Sequence, residues 1–213
     1  MMSSSPCIIK NKENLGFAKA NNLALRFILD KSQDDDHYIL LLNPDTELID
    51  DSVMKMIEFA KNPQDPSIRP PTSPDPTLGQ GEEIGIVGPQ LLNSDETLQK
   101  SCRRFPKLVD QIFIQLKFYN LFPEKIKAIR EYFMLNFKHD EIRQVDQVMG
   151  AAMLIKKEVF TEIGLLDEKF WAIFEEVDFC KRAKQAGFKT YFFPNTKVVH
   201  HKGESFKKMD SIK

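Results

Sequence analysis

The apolar positions of this chain change their period along its length, and each period names an element. Phe17, Ala20, Ala24, Phe27 and Ile28 recur at three- and four-residue intervals behind Gly16, which predicts an amphipathic helix running to about Asp30. Ahead of it, residues 8–11 (Ile8-Ile9-Lys10-Asn11) predict a short strand or the end of one. Asp34, Asp35 and Asp36 mark a loop, and Tyr38 to Leu42 then form an unbroken apolar run closed by Asn43-Pro44-Asp45. A run of that length between turn residues reads as a buried strand of a parallel sheet. Val53, Met56, Ile57 and Ala60 return to helical spacing.

Residues 63–82 hold six prolines and few large apolar side chains, the composition of a flexible insertion. Ile84-Gly85-Ile86-Val87-Gly88-Pro89 restarts the sheet. Residues 107–138 alternate apolar and basic positions at helical spacing around Pro123 and predict two helices. Residues 145–155 read as a strand interrupted by Gly150. Residues 157–163 form a short helix stopped by Gly164, and residues 175–186 another, with Gly187 just past its end, where a left-handed residue is favoured. Residues 189–193 and 197–200 close the chain as short strands. Strands alternating with helices predict a layered α/β fold, and no internal repeat interrupts it.

Composition narrows the picture little. With 213 residues, 42% hydrophobic and 29% charged, the chain fits a soluble domain of moderate size. A net charge of −1 provides no field for nucleic acid. The stretch from Lys100 to Arg143 is locally basic, with ten Lys/Arg against five Asp/Glu. It could lie against anionic lipid or a phosphorylated acceptor, or be a solvated helical face. Cys7, Cys102 and Cys180 form neither a disulfide framework nor a CxxC pair, which suits a reducing cytosol; Cys102 and Cys180 read as packing residues. No apolar run reaches about 18 residues, and the first six residues lack the basic and apolar regions of a signal peptide. The expectation is a cytoplasmic chain, peripheral at most at the inner face of a membrane.

Three groups of residues could carry chemistry. Asp45 in Asn43-Pro44-Asp45-Thr46 stands where the Tyr38–Leu42 strand ends, a place suited to gripping a divalent cation, since ligands of open α/β sheets sit outside the strand ends. The same tetrapeptide also serves as a turn into the next helix. Glu175, Glu176 and Asp178 open a predicted helix, whose dipole stabilises acidic residues. The flanking Trp171, Phe174 and Phe179 supply an apolar wall that could raise a carboxylate's proton affinity to that of a general base. By helical spacing, Glu175 and Asp178 share a face and Glu176 points elsewhere. In Val198-Val199-His200-His201, successive side chains of a strand point to opposite faces, so one histidine at most faces a site; a packing role is the plainer reading. No P-loop, GxSxG or HExxH motif occurs.

Taken in order, these blocks resemble a known family. Asn14-Leu15-Gly16-Phe17-Ala18-Lys19-Ala20-Asn21-Asn22 resembles the N-x-GFA-x-x-N-N block of bacterial family 2 glycosyltransferases, in particular their rhamnosyltransferase-like branch. Leu41-Leu42-Asn43-Pro44-Asp45-Thr46 is similar to that branch's form of the DXD motif. Ile86 to Pro89, Arg104-Phe105-Pro106, the stretch from Val145 to Ile155, Gly164 to Phe170, Glu175 to Arg182, Pro194, His200-His201 and Gly203-Glu204-Ser205 also look like its blocks. The resemblance covers roughly Ile8 to Ser205, apart from the proline-rich insertion.

It implies a GT-A (nucleotide-diphospho-sugar transferase) fold, a three-layer α/β/α domain with a mixed sheet. Residues 1–213 would form a single partial domain, and residues 107–140 a helical segment on the acceptor or membrane side. The implied reaction is an inverting, metal-dependent transfer from a nucleoside-diphosphate sugar to a polysaccharide or lipid-linked acceptor; dTDP-rhamnose is suggested by the branch alone. Glu176 would be the catalytic base, with Glu175 and Asp178 in support. Asp45 would hold Mg2+ or Mn2+ on the diphosphate, with His200 completing the metal site. Asn43, Gly16, Asn21, Gly150 and Ala151 would lie along the donor and acceptor pocket, where small residues let the backbone come close.

The sequence departs from the family at its start. Relatives begin with a strand, a helix and a second strand that hold the base and ribose, whereas this chain begins after them, so the resemblance implies an N-terminally truncated domain with an exposed sheet edge. A non-catalytic remnant or binding module is the competing reading. A sugar-nucleotide nucleotidyltransferase would need a Gly-rich phosphate loop near the N-terminus, which is missing.

Overall fold

Period-two alternation along the central strands divides the interior into two cores. Ile86 of one strand, Met153 and Ile155 of a second and Phe192 of a third face one side, while Val87, Leu154, Tyr191 and Phe193 face the other. The computed structural model that shows this describes residues 7–31, 36–68, 83–115, 125–171 and 173–201. Its elements run α1 (Phe17–Lys31), β1 (Tyr38–Leu42), β2 (Thr46–Leu48), α2 (Ser52–Lys61), β3 (Ile84–Leu92), β4 (Leu98–Gln99), α3 (Leu108–Gln115), α4 (Lys127–Tyr132), β5 (Arg143–Val145), β6 (Ala152–Lys156), α5 (Lys157–Ile163), α6 (Glu175–Gln185) and β7 (Lys189–His200).

The sheet order is β1-β6-β3-β7-β2, with β4 against β3 and β5 against β7. Only β3 and β7 pair in parallel; the other described pairs are antiparallel. The first core receives α1, α5 and α6 through Ala18, Leu25, Val159, Phe160, Phe179 and Ala183. The second receives α2 through Met56 and Phe59, with Phe59 stacked on Phe193 at 4.5 Å between ring centroids. Helices therefore cover both faces, and the three-layer α/β/α arrangement with a mixed sheet is present.

Several expectations change in detail. Tyr38 to Leu42 is a strand, but it pairs antiparallel with β6. Its side chains reach both cores, Ile39 and Leu41 one and Tyr38 and Leu40 the other. The continuous apolar run thus records two covered faces and carries no information on strand direction. Residues 8–11 form no strand, and Ile8 and Ile9 are exposed. The buried face of α1 is Ala18, Asn22 and Leu25, leaving Phe27 and Ile28 exposed. That stripe was hidden because its central member is polar: the buried Asn22 carboxamide donates to Leu166 O at 2.8 Å and accepts from Leu166 N at 3.2 Å.

Residues 145–155 split into β5 and β6, which pair with different neighbours, and Gly150 lies in the turn between them. Residues 189–200 form one strand whose register slips, with Pro89 opposite Phe193 and Gln90 opposite Lys197. Pro194, with no N–H to donate, sits in that bulge. The helices around residues 107–138 are α3 and α4; Pro123 and Asp34–Asp35 lie outside the described residues. So do residues 69–82 of the proline-rich segment and Gly203-Glu204-Ser205, while Ile68 at that segment's start packs on the second core. No helix among the described residues is long and apolar enough to cross a membrane.

Candidate functional site

The acidic cluster opens α6 by an uncommon backbone route. Ile173 and the N-cap Phe174 both have positive φ, 73° and 76°. Left-handed backbone at two successive residues with side chains, one of them β-branched, costs on the order of 1–3 kcal/mol each and persists only where the surroundings hold it. The turn drives the helix start inward. Glu175 is buried, and Oε2 of both Glu175 and Glu176 is sealed from solvent without a hydrogen-bond partner. Burial, reinforced by the neighbouring Glu175 charge, pushes the Glu176 carboxyl up to about 7. Burial also raises Glu175.

Asp178 has a different environment. It accepts from Arg182 Nε at 2.7 Å, and Arg182 donates onward to the carbonyls of Ile163 and Leu165 at 2.8 and 2.9 Å. It ties α6 to the end of α5. The carboxylates with a sealed oxygen are therefore the adjacent pair Glu175 and Glu176, while Asp178 is turned to Arg182, so simple helical spacing does not decide burial there.

Gly150 lies over Glu176. A Cβ at Gly150 would stand 3.4 Å from Glu176 Cβ and 3.9 Å from the Phe17 ring. At Gly16, with φ +74°, a Cβ would come within 2.5 Å of Trp171 O. The amide of Phe17 donates to that same carbonyl at 3.2 Å. Gly16 thus docks the start of α1 onto the loop that leads into α6. Asn21 folds back onto its own helix, donating to Phe17 O at 2.9 Å, and Asn22 rather than Asn21 reaches across to residues 166–168.

A second group sits where β1 and β7 end and β2 begins. The Asn43 amide donates to Ala151 O at 2.9 Å, which ties the end of β1 to the turn carrying Gly150. His201 N donates to Asp45 O at 2.8 Å, and His200 Nε2 stands 3.5 Å from Asp45 Oδ1 between two largely buried side chains. Asn43 Oδ1 is buried without a hydrogen-bond partner. One carboxylate, one imidazole and one amide oxygen suit a divalent cation such as Mg2+ or Mn2+. Among the described residues no three His, Cys, Asp or Glu side chains converge. The donors present thus fit a cation that takes the rest of its ligands from phosphate oxygens and water.

Sequence reasoning missed two contributors. Gln99, buried in β4, stands with Oε1 2.8 Å from His200 Nδ1. Arg103 donates to the carbonyls of Lys100 and Cys102 and lies over the Phe133 ring at 5.0 Å. Burial lowers its proton affinity, and the Glu176 carboxylate acts against this. Gln99 had no signal in the sequence, whereas Arg103 adjoins the Arg104-Phe105-Pro106 block. Cys102 and Cys180 are buried free thiols, both pushed up to about 12 by desolvation, as packing residues should be.

Comparison with known proteins bears on family and fold. The chain is 25% identical over 172 residues to the low-salt glycan biosynthesis hexosyltransferase Agl10 of Haloferax volcanii, a match covering 81% of this chain and 44% of that protein. It is 22% identical over 197 residues to the N-acetylglucosaminyl-diphospho-decaprenol L-rhamnosyltransferase of Mycobacterium tuberculosis, covering 90% of this chain and 57% of that one. The chain thus spans about half the length of these curated relatives. The crystal structure of GalNAc-T7 with UDP, GalNAc and Mn2+ aligns over 91% of this chain and 32% of its own, with a TM-score of 0.51 at 14% identity; that likeness concerns the fold, which is GT-A. The model of "Glycosyltransferase like family 2" matches residues 89–213, more than half of the chain, including the Gly150 turn, the acidic start of α6 and His200. On that match and that fold, the chain belongs to glycosyltransferase family 2.

Proposed function

We propose that this chain carries the catalytic centre of an inverting, metal-dependent glycosyltransferase that moves a sugar from a nucleoside-diphosphate donor to a glycan or lipid-linked acceptor. The observation that carries the reading is the half-buried Glu176 carboxyl beneath the side-chain-free Gly150, its Oε2 sealed without a hydrogen-bond partner and its pKa pushed up to about 7 by burial. A base poised near working pH combines a useful ionised fraction with enough proton affinity. In this reading the acceptor hydroxyl gives its proton to Glu176 as its oxygen bonds to the anomeric carbon. The bond from that carbon to the diphosphate oxygen breaks, its electron pair leaves with the diphosphate, and configuration inverts. Glu175 supports by keeping Glu176 basic, since it adds a like charge beside it. Asp178 acts at one remove, by fixing α6 through Arg182.

Asp45 and His200 would hold the metal, with Asn43 Oδ1 facing the donor. A divalent cation bound there offsets charge on the leaving diphosphate. Gly150, over Glu176, and Ala151, whose carbonyl accepts from the Asn43 amide, would line the donor and acceptor pocket. A rhamnosyl donor and a lipid diphosphate acceptor are supported by the name of the mycobacterial relative. The exposed Leu108 and Ile112 of α3, within the basic 100–143 stretch, support an acceptor side that meets lipid, and hence a peripheral position at a membrane.

The test is thermal melting with dTDP, UDP and their sugars, with and without Mn2+, coupled to measurement of released nucleoside diphosphate. Stabilisation that depends on Mn2+ in the wild type and disappears in Asp45→Ala is expected. Equal, metal-independent stabilisation of both forms refutes the assignment of Asp45.

A further inference from the structure

We propose that Gln99 is a positioning residue that fixes which nitrogen of His200 faces Asp45 without a proton. The inference rests on reading Asp45 and His200 as a cation site.

Its basis is a hydrogen-bond chain whose direction is set from one end. Asp95 has a carboxylate, which only accepts, and it takes the Thr97 hydroxyl proton at 2.6 Å and the Thr97 amide at 3.1 Å. With its proton committed, the Thr97 oxygen accepts from Asn93 Nδ2 at 2.9 Å. That orients the Asn93 carboxamide, so its Oδ1 accepts from Gln99 Nε2 at 2.8 Å. The second Gln99 amide proton points at the His200 carbonyl, 3.4 Å away. Gln99 Oε1 is thereby turned toward His200 Nδ1 at 2.8 Å. An amide oxygen cannot donate, so Nδ1 carries the hydrogen. In the neutral ring Nε2 is then the unprotonated nitrogen, and it is Nε2 that stands 3.5 Å from Asp45 Oδ1.

Free imidazole side chains favour the opposite tautomer, with the proton on Nε2, which would turn an N–H toward the site and exclude a cation. Gln99, itself 1% exposed, makes the form with an unprotonated Nε2 the one the fold selects. The hydrogen-bond partner on the far ring nitrogen is also what keeps a metal-binding imidazole from rotating. The turn between β3 and β4 thus acts on the cation site through one side chain.

The experiment is nitrogen NMR of the whole chain with 15N-labelled histidine rings, assigned through His200→Gln, on wild type, Gln99→Leu and Gln99→Glu, followed by titration with Mn2+, alone and together with UDP or dTDP. The expected wild-type spectrum shows His200 with a protonated Nδ1 and an unprotonated Nε2. Gln99→Leu loses that signature, and Gln99→Glu, which keeps an acceptor oxygen toward Nδ1, retains the Nδ1 proton. Selective Mn2+ broadening of the His200 ring is expected in the wild type, and Gln99→Leu should need roughly ten- to a hundredfold more metal for the same effect. A wild-type His200 protonated on Nε2, or an unchanged tautomer in folded Gln99→Leu, overturns the proposal without touching the cation site. A correct tautomer with no Mn2+ broadening in any form, either with Mn2+ alone or with Mn2+ and UDP or dTDP together, overturns the cation reading itself, and Gln99 is then a packing residue.

Discussion

Replacing Glu176 by Gln tests whether this carboxyl is desolvated, independently of any substrate. Gln has nearly the same shape and stays neutral, so it mimics the protonated acid. The folded state holds the Glu176 proton up to about pH 7, whereas the ordinary value is 4.5. Below about pH 4.5 the carboxyl is protonated in both folded and unfolded chains, and it imposes no penalty. As pH rises from there the unfolded chain ionises first, so the wild type loses stability, and the loss levels off above the folded value near pH 7. At 1.36 kcal/mol per pH unit the loss is about 2 kcal/mol near pH 6 and about 3 kcal/mol by pH 8. The Glu176→Gln substitution removes this loss, so the variant should match the wild type near pH 4.5 and exceed it by about 3 kcal/mol at pH 8. Urea unfolding at several pH values, followed by the emission of Trp171, the single tryptophan, reads it directly. The difference between the two proteins isolates Glu176 with its coupling to Glu175, because other titrating groups cancel. A difference independent of pH refutes the desolvation argument. In the same variant, transfer should fall roughly a hundred- to ten-thousandfold while Mn2+-dependent donor binding persists; unchanged turnover refutes the role as base.

Two further substitutions probe the frame around the site. Asn22→Ala strips partners from the buried N–H and carbonyl of Leu166 and should cost about 2 kcal/mol, a melting decrease of roughly 4–8 °C in calorimetry; a loss near zero would show that water replaces the carboxamide. Gly150→Ala meets Glu176 Cβ at an ordinary 3.4 Å and should keep the fold and most activity, whereas Gly150→Leu should push the Glu176 side chain aside and lower transfer roughly a hundredfold with little change in melting. Full activity of the leucine variant would show that Gly150 does not border the reacting atoms.

The elements of the fold were legible wherever one physical rule acted alone. Apolar periodicity located α1, β1, α2, α5 and α6 within a residue or two, and Gly164 and Gly187, both at positive φ, stopped their helices where the pattern placed them. The ordered motifs pointed to family 2 and to the GT-A fold because each block preserves local chemistry: a turn after a strand, an acidic helix start, a histidine at a strand end. The sequence also held the residues of the candidate site, since Asp45, Glu176 and His200 are each local signals.

Only the tertiary structure decided how those residues are used. Strand direction was illegible, because the apolar run from Tyr38 to Leu42 registers two covered faces in either direction of pairing. Helical spacing joined Glu175 to Asp178, yet the ion pair one turn further on took Asp178 to Arg182 and left Glu175 and Glu176 each with one sealed oxygen. The buried stripe of α1 was masked by Asn22, whose partner Leu166 lies 144 residues on. Gln99 carried no signal at all, since its partner His200 is 101 residues distant and an isolated glutamine is compatible with any surface. Local pattern reports what a residue is next to in sequence. Proton affinity and hydrogen-bond direction depend on what surrounds it in space, and for His200 that is set only when β4 and β7 come to lie against β3.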